Sequence, residues 1–103
     1  MEVINLTPHK IRIITGDKVN EIEASGTIAR VATKIISTDN PIIFKQEFGE
    51  VENLPEPKEN TIFIVSALVL ARVSERNDVF APLTSQAIRN EEGQIIGVPG
   101  LVR

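Results

Sequence analysis

The only histidine of this 103-residue chain, His9, lies in the segment NLTPHK, which spans residues 5–10. Histidine can act as a general base or bind a ligand through its ring. The scattered serines and threonines give it no recognisable nucleophile, so a catalytic role has no support. Because Thr7 and Pro8 follow an alternating segment, the sequence favours a turn at a strand end. Ligand binding through the His9 ring is the alternative.

Arginines form the second group able to do chemistry, because a guanidinium gives paired hydrogen bonds to phosphate or carboxylate. Arg72 and Arg76 are four residues apart in a segment of helical composition, so we expect them on one face of a helix. Arg30 is expected within a strand and Arg89 within a hairpin. These residues could form a small anion-binding cluster. The alternative is a set of surface ion pairs with Glu75, Asp78 or Glu91, each worth about 0–1 kcal/mol.

Two further segments contain groups that could bind or react, but each also has a simpler structural explanation. Carboxylates crowd the acidic segment 47–59, namely Glu47, Glu50, Glu52, Glu56 and Glu59. Paired carboxylates could perform hydrolysis, but nothing in the sequence defines their geometry, so a solvated acidic segment is favoured. The junction TIFIV-S-ALVLA could present free backbone N–H groups to an anion. Ser66 as a helix N-cap is the simpler interpretation, because no glycine-rich phosphate loop is present.

The composition excludes several classes of function. The chain is 42% apolar, with four Phe and neither Trp nor Tyr, which suits a β-rich core. A net charge of −3 and the lack of a basic run argue against polymeric nucleic acid as a partner. Without cysteine and with one histidine, the chain has no disulfides, no thiol chemistry and no usual zinc set. We therefore expect no cofactor and no metal.

The first ten residues and the longest apolar run indicate the cellular compartment of the protein. The first ten residues lack a signal-peptide pattern, and the apolar run at residues 62–71 is about half a membrane span. We expect a single domain over residues 1–103 that is soluble, cytoplasmic and not associated with a membrane.

The elements that must position these residues follow from alternation and turn residues. Extended segments are predicted at residues 2–7, 10–15, 18–24, 27–35, 41–52, 61–65 and 77–82. Gly16-Asp17 predicts one hairpin and Glu91-Glu92-Gly93 a second. The fully apolar segment TIFIV is expected at the centre of the sheet. The expected fold class is α+β: a mostly antiparallel β-sheet with hairpins and one main helix at about 66–76.

Five segments occur in an order that is typical of a known family. They are NLTPH, ARVAT, FGEVENLPEPKENTIFIVSALV, R-x-D-V-x-x-P at residues 76–82, and IRNEEGQIIGV. Over nearly its whole length the chain resembles an uncharacterised family of small proteins, of about a hundred residues, encoded by bacteria, phages and mobile elements. The resemblance implies a setting more than a mechanism. Family members often carry Gly at the position of Asn60 and Asp at that of Asn90, so a carboxylate role at Asn90 does not transfer.

The polar residues of this family pattern define a candidate ligand site. They fall on Thr7, His9, Arg30, Ser66, Arg76, Asp78, Arg89 and Asn90. Most are predicted at strand ends or turns, where binding residues usually lie. Because these polar residues cluster in a chain that lacks catalytic sets, we expect a non-enzymatic protein of phage or mobile-element origin that binds a small anionic ligand. Such a protein could sequester a nucleotide signal of host defence.

Each residue of this site has an expected role. Arginines at positions 30, 76 and 89 would contact phosphates, His9 and Asn90 would bond base or sugar, and Phe80 could stack. So small a domain encloses a nucleotide more readily at a subunit interface, so we expect a homo-oligomer. Two other functions stay open. One is a structural or protein-interaction subunit, such as a virion or regulatory component, and the other is a hydrolase.

Overall fold

The polypeptide forms ten short strands and one short helix, and the computed structural model describes all 103 residues. The strands are β1 (Glu2–Asn5), β2 (Ile11–Thr15), β3 (Lys18–Ile22), β4 (Arg30–Ser37), β5 (Phe44–Glu52), β6 (Thr61–Ile64), β7 (Val79–Pro82), β8 (Ile88–Arg89), β9 (Ile95–Gly97) and β10 (Leu101–Val102). The helix α1 spans Ala67–Arg72, and a 3₁₀ turn covers Thr84–Gln86. The α+β class with antiparallel hairpins and one helix is confirmed.

A four-stranded sheet with the order β1-β6-β7-β10 lies at the centre of the molecule. Its pairs β1–β6 and β6–β7 are parallel, and only β7–β10 is antiparallel. Alternation along a strand does not reveal the direction of its partner, so the sequence did not indicate these parallel pairs. The central place expected for TIFIV is confirmed, because Phe63, Ile64 and Val65 are fully buried within it.

Three antiparallel hairpins, β2–β3, β4–β5 and β8–β9, surround the central sheet. The predicted turns at Gly16-Asp17 and at Gly93 are confirmed. Gly16 has φ 59° and Gly93 has φ 82°, a left-handed conformation that glycine adopts without strain. Asn60 also has a positive φ, of 57°. Asparagine tolerates this region better than most residues, which explains how the turn accepts it.

Apolar side chains of β6 and of Val65, the residue after it, alternate between two hydrophobic clusters on opposite faces of the central sheet. Phe63 and Val65 join a cluster with residues of β4 and α1, including Val31 and Val69. Ile64 joins a smaller cluster on the other face with Ile11, Val98 and partly buried residues of β2 and β3. The fold therefore has three layers, and each face of β6 is covered by a different set of elements.

The helix is shorter than the expected span of residues 66–76. Ser66 is its N-cap, as predicted, but α1 ends at Arg72 and Val73 leaves the helical conformation. Arg76 therefore lies beyond the helix, and the prediction that it shares a helical face with Arg72 is wrong. Arg76 instead pairs with Asp78, two residues later. No helix in the structure is long and apolar enough to cross a bilayer.

Candidate functional site

A buried asparagine organises the turn that carries His9. Asn5 is 1% exposed at the end of β1, and its Nδ2 donates to the carbonyl oxygens of His9 at 2.8 Å and Ile22 at 3.1 Å. Its Oδ1 accepts from the backbone N–H of Thr7 at 3.0 Å and lies 2.7 Å from Thr7 Oγ1. Both amide donors and the carbonyl acceptor of Asn5 are thus engaged, so the path from β1 to β2 is fixed.

Thr7 has a structural place in the same turn. Besides Asn5 Oδ1, its hydroxyl lies within hydrogen-bond distance of the His9 carbonyl oxygen, at 3.0 Å. The predicted Thr-Pro-His turn is therefore confirmed. The bonds to His9 involve its backbone, while its side chain is exposed and faces a cavity. The backbone of His9 is thus fixed, and no hydrogen bond or ion pair engages its ring.

This cavity, of about 370 Å³, lies between the start of β2 and the strand β9. Its wall consists of His9, Lys10, Ile11, Arg12, Pro82, Thr84, Ile95, Ile96, Gly97 and Val98. The wall is mixed, with isoleucine side chains beside three basic residues and one hydroxyl. Lys10 and Arg12 are two residues apart at the start of β2, so their side chains leave the same face of the strand. We name this cavity the His9 cavity.

Two cations of the His9 cavity also contact an acid outside it. Arg12 donates to Glu21 Oε2 from Nε at 3.1 Å and from Nη2 at 2.8 Å, and Lys10 Nζ lies 3.5 Å from the same oxygen. The hydrogen bonds from Arg12 and the charge of Lys10 lower the pKa of the Glu21 carboxyl. These groups are substantially exposed to water, so a ligand anion can compete with Glu21 for both cations.

The close approach of β9 to β2 closes the His9 cavity. Val98 donates to the Arg12 carbonyl oxygen and accepts from Ile14, each at 2.9 Å. Gly97 makes this approach possible, since a Cβ there would lie 2.7 Å from Ile14 Cδ1 and 2.9 Å from the Arg12 carbonyl oxygen. A side chain at position 97 would therefore push β9 away from β2 and open the cavity.

Arg76 and Asp78 form a separate ion pair. Arg76 Nε and Nη2 donate to the two Asp78 carboxylate oxygens at 2.8 and 2.9 Å, and Nη2 also donates to the Pro55 carbonyl oxygen at 3.1 Å. Hydrogen bonding to Arg76 lowers the pKa of Asp78 and raises that of Arg76. The alternative noted from the sequence, an ion pair with Asp78, is the contact observed here. It fastens the 53–60 loop to the start of β7.

The other two arginines of the expected cluster lie on different elements. Arg30 is exposed and opens β4, opposite Glu52 of β5, rather than lying in the middle of a strand. Arg89 Nη1 donates to the Gly93 carbonyl oxygen at 2.7 Å within the β8–β9 hairpin. Neither lines a cavity, and neither does Arg76. Within one chain, therefore, no cavity gathers the three arginines.

Three predicted site residues have local structural contacts. Asn90 shapes the β8–β9 turn, because its Oδ1 accepts from the backbone N–H groups of Glu92 at 2.9 Å and Gln94 at 3.0 Å. Ser66 Oγ accepts from Val69 N–H at 3.4 Å as the helix cap. Phe80 is half-buried on β7, two residues before Pro82 and on the same strand face. It therefore lies on the side of the sheet that carries the His9 cavity.

Sequence reasoning found His9 but missed the residues around it. Asn5, Lys10 and Arg12 had no assigned role, although the pattern K-x-R directly after His9 places both cations on one strand face. That alternation was the available signal. Thr84 and the β9 residues come from the other end of the chain, and nothing local indicated that they would meet His9.

No group of three or more His, Asp or Glu side chains in the structure is arranged to hold a metal ion. Comparison of the chain with protein-family models, with curated proteins and with solved structures found no match.

Proposed function

We propose that this protein is a non-enzymatic binding protein of phage or mobile-element origin that captures a small anionic ligand in the His9 cavity. The single observation that carries the proposal is that His9, Lys10 and Arg12 all line that cavity. The phage or mobile-element origin rests on the resemblance of the sequence to the family that begins NLTPH. In that setting, a nucleotide signal of host defence in the cytoplasm is the proposed ligand class.

The size and lining of the His9 cavity fit this ligand class. Its volume, about 370 Å³, falls in the range of about 300–1,000 Å³ that is usual for small-molecule sites. Its apolar side chains, Ile95 and Ile96 among them, offer a surface for a base or sugar. Lys10 and Arg12 offer positive charge for a phosphate, and the ring of His9 can donate or accept a hydrogen bond.

The other residues predicted to bind the ligand differ in how close they lie to the His9 cavity and in whether they are free to contact an anion. Arg89 and Asn90 belong to the hairpin whose strand β9 forms one wall of the His9 cavity, so they can assist from its outer edge. Arg76 and Asp78 neutralise each other, so they lose most of their value for a ligand. Lys10 and Arg12 replace the expected arginine cluster as the principal phosphate contacts.

Glu21 competes with the ligand for the two cations of the proposed site. It holds Arg12 and Lys10 through a shared carboxylate oxygen, so an incoming anion must displace or share these contacts. Removing the Glu21 charge frees Arg12 and leaves Lys10 with only its longer contact to Glu23, at 3.9 Å. The variant Glu21→Gln is therefore expected to bind an anionic ligand several-fold more tightly than the wild type.

Thermal unfolding in the presence of a panel of cyclic nucleotides and inorganic phosphate tests the proposal. A ligand at 100 times its Kd should add about 2.7 kcal/mol to the free energy of unfolding. We expect stabilisation of the wild type by at least one nucleotide and its loss in Arg12→Gln. Lys18→Gln removes an equal charge from the same hairpin, away from the cavity, and should keep the response. No stabilisation in the wild type, or equal stabilisation in Arg12→Gln, would refute the proposal.

A second candidate function, a structural or protein-interaction subunit, is favoured by a specific observation. The β4–β5 hairpin exposes large apolar side chains, with Ile42 83% and Phe44 59% exposed. Such side chains mark interaction surfaces when they are contiguous. A pull-down that recovers a stoichiometric protein partner, without a co-purifying small molecule, would support this function over ligand capture.

A further inference from the structure

The β4–β5 hairpin extends away from the body of the protein as an arm. Its residues from Thr33 to Gly49 are mostly exposed, and the radius of gyration is 16.2 Å, against about 13 Å for a compact chain of this length. The principal extents of 55 × 41 × 23 Å describe the same elongated shape. A projecting hairpin with only water on both faces gains little stability from its own side chains.

The two faces of the arm differ completely in charge. Directly opposed residues share a face in an antiparallel pair, and the pairs Thr33↔Phe48, Ile35↔Gln46 and Ser37↔Phe44 all lie on one side. That face contains no charged residue. The pair Lys34↔Glu47 and the residue Lys45 lie on the opposite face. We name the first the uncharged face of the arm.

The uncharged face continues from the hydrophobic core. Val31 and Val51 lie on it at the base of the arm, where they pack with residues of α1. A bulge at Gly49 and Glu50, opposite Ala32, preserves this alternation between the base and the tip. Further out, Arg72 of α1 stacks over the ring of Phe48 at 4.7 Å. Beyond that point nothing in the chain covers the apolar side chains.

The helix extends the uncovered strip. Leu68 lies four residues before Arg72, so it projects from the side of α1 that meets the arm, and it is 47% exposed. The strip thus runs from the arm to the helix and consists of Ile35, Phe44, Phe48 and Leu68.

We infer that this strip is the interface between two copies of the chain, related by a two-fold axis, with their arms antiparallel and their uncharged faces in contact. A two-fold interface must be self-complementary, because the same patch meets itself. A charged face would repel its own copy, whereas an uncharged apolar face meets itself without that cost. The strand residues of the strip carry no charge, and the guanidinium of Arg72 lies only at its base, over Phe48, so nucleic acid and a strongly charged protein are disfavoured as the occupant.

The area that must be buried favours the antiparallel arrangement. A face of two strands, each about eight residues long, covers roughly 400 Å² per copy, so arm on arm alone buries about 800 Å² in total. Stable dimers bury about 1,200 Å² or more. Antiparallel arms bring each tip to the base of the other arm, where Leu68 lies, and these two additional contacts supply the missing area. This inference does not depend on the ligand of the His9 cavity.

Sedimentation velocity over a range of protein concentrations tests the inference. We expect the wild type to be a dimer at micromolar concentration, and the variants Ile35→Glu and Phe44→Glu to dissociate at least 100-fold more readily. Both side chains are largely exposed, so neither change should unfold the monomer, and circular dichroism checks this. Lys45→Glu places the same carboxylate on the opposite face and should leave the dimer intact.

Three outcomes would overturn the inference. One is a wild type that stays monomeric throughout the concentration range. Another is equal dissociation of Lys45→Glu and Phe44→Glu, since the uncharged face would then have no special role. The third is a monomer that sediments with vesicles of phosphatidylcholine and phosphatidylserine, because the apolar tip would then serve a lipid surface.

Discussion

Among single side chains, Asn5 contributes most to the geometry of the proposed site. It is buried, and its amide bonds join the end of β1 to the turn before β2 and to the end of β3. These bonds fix the backbone that presents His9, so Asn5 positions the site from outside it. A polar group that is buried and fully bonded is costly to remove, because its partners stay behind without water.

We expect Asn5→Ala to lower the free energy of unfolding by about 2–4 kcal/mol, since several buried groups lose their partner. Urea denaturation measures this change. Asn20→Ala, at an exposed position of β3, is the matched control and should change stability by no more than about 0.5 kcal/mol. Equal effects of the two variants would show that the bonds of Asn5 carry no stability.

The pair Arg76–Asp78 predicts a pH dependence of stability. Their side chains are 19% and 15% exposed, and the pKa of Asp78 is lowered in the folded state by hydrogen bonds from Arg76. A depressed folded pKa contributes stability that is present above the unfolded pKa. That stability is lost as the pH falls through the folded value.

We therefore expect Asp78→Asn to be about 1–3 kcal/mol less stable than the wild type at pH 7. The difference should shrink below about pH 4, because the wild type then loses its ionised carboxylate. Urea denaturation at a series of pH values measures this, with Asp39→Asn in the exposed β4–β5 turn as the control. A difference that stays constant from pH 7 to pH 2 would contradict the assigned role of the ion pair.

Residue types alone predicted some of these contacts and not others. Ser66 as a cap and the turn at His9 follow from local preferences, so the sequence was sufficient. The partner of Arg76 was one of three acids left open, because charge identifies candidates and only the fold selects among them. Lys10 and Arg12 were overlooked because they line a cavity only where β9 packs beside β2, and β9 lies far along the chain.

At the scale of elements, the contact of β9 with β2 forms the His9 cavity. It depends on Gly97, where any Cβ would meet the Arg12 carbonyl oxygen and the Ile14 side chain. The backbone oxygen belongs to the hydrogen-bonded contact itself, so it cannot move aside without breaking the pairing with Val98.

Gly97→Ala should accordingly cost about 1–3 kcal/mol of folding stability, the usual range for overpacking. Gly100→Ala is the matched control, because a Cβ at Gly100 meets nothing within 4 Å. Thermal unfolding of both variants checks the expectation. If Gly97→Ala were as stable as Gly100→Ala, the close approach of β9 to β2 would be excluded.

Hairpins and the helix start were predictable because their signals are short-range, as at Gly16-Asp17 and Ser66. The parallel pairs β1–β6 and β6–β7 were not, because the partner of β1 follows two intervening hairpins. The end of the helix was also missed. Val73 leaves the helical conformation with φ −128°, although no Gly or Pro marks this end in the sequence.

At the scale of the whole molecule, the two proposed surfaces lie on different parts of the fold. The His9 cavity is formed by β2 and β9, while the uncharged face belongs to β4 and β5. The chain carries a net charge of −3, and Glu21 and Glu23 lie beside the two cations of the His9 cavity, so a ligand anion must compete with these carboxylates. Anion binding there should weaken as salt increases, because both cations are exposed.

Native mass spectrometry of freshly purified protein tests the central claim, anion capture in the His9 cavity, most directly. The account predicts that the wild type, sprayed from a low-salt buffer with the nucleotide panel, retains one small anionic molecule per chain. It also predicts that Arg12→Gln retains none, while Lys18→Gln behaves as the wild type. A wild type that emerges bare from every mixture, or an Arg12→Gln variant that retains the same molecule, would contradict the account.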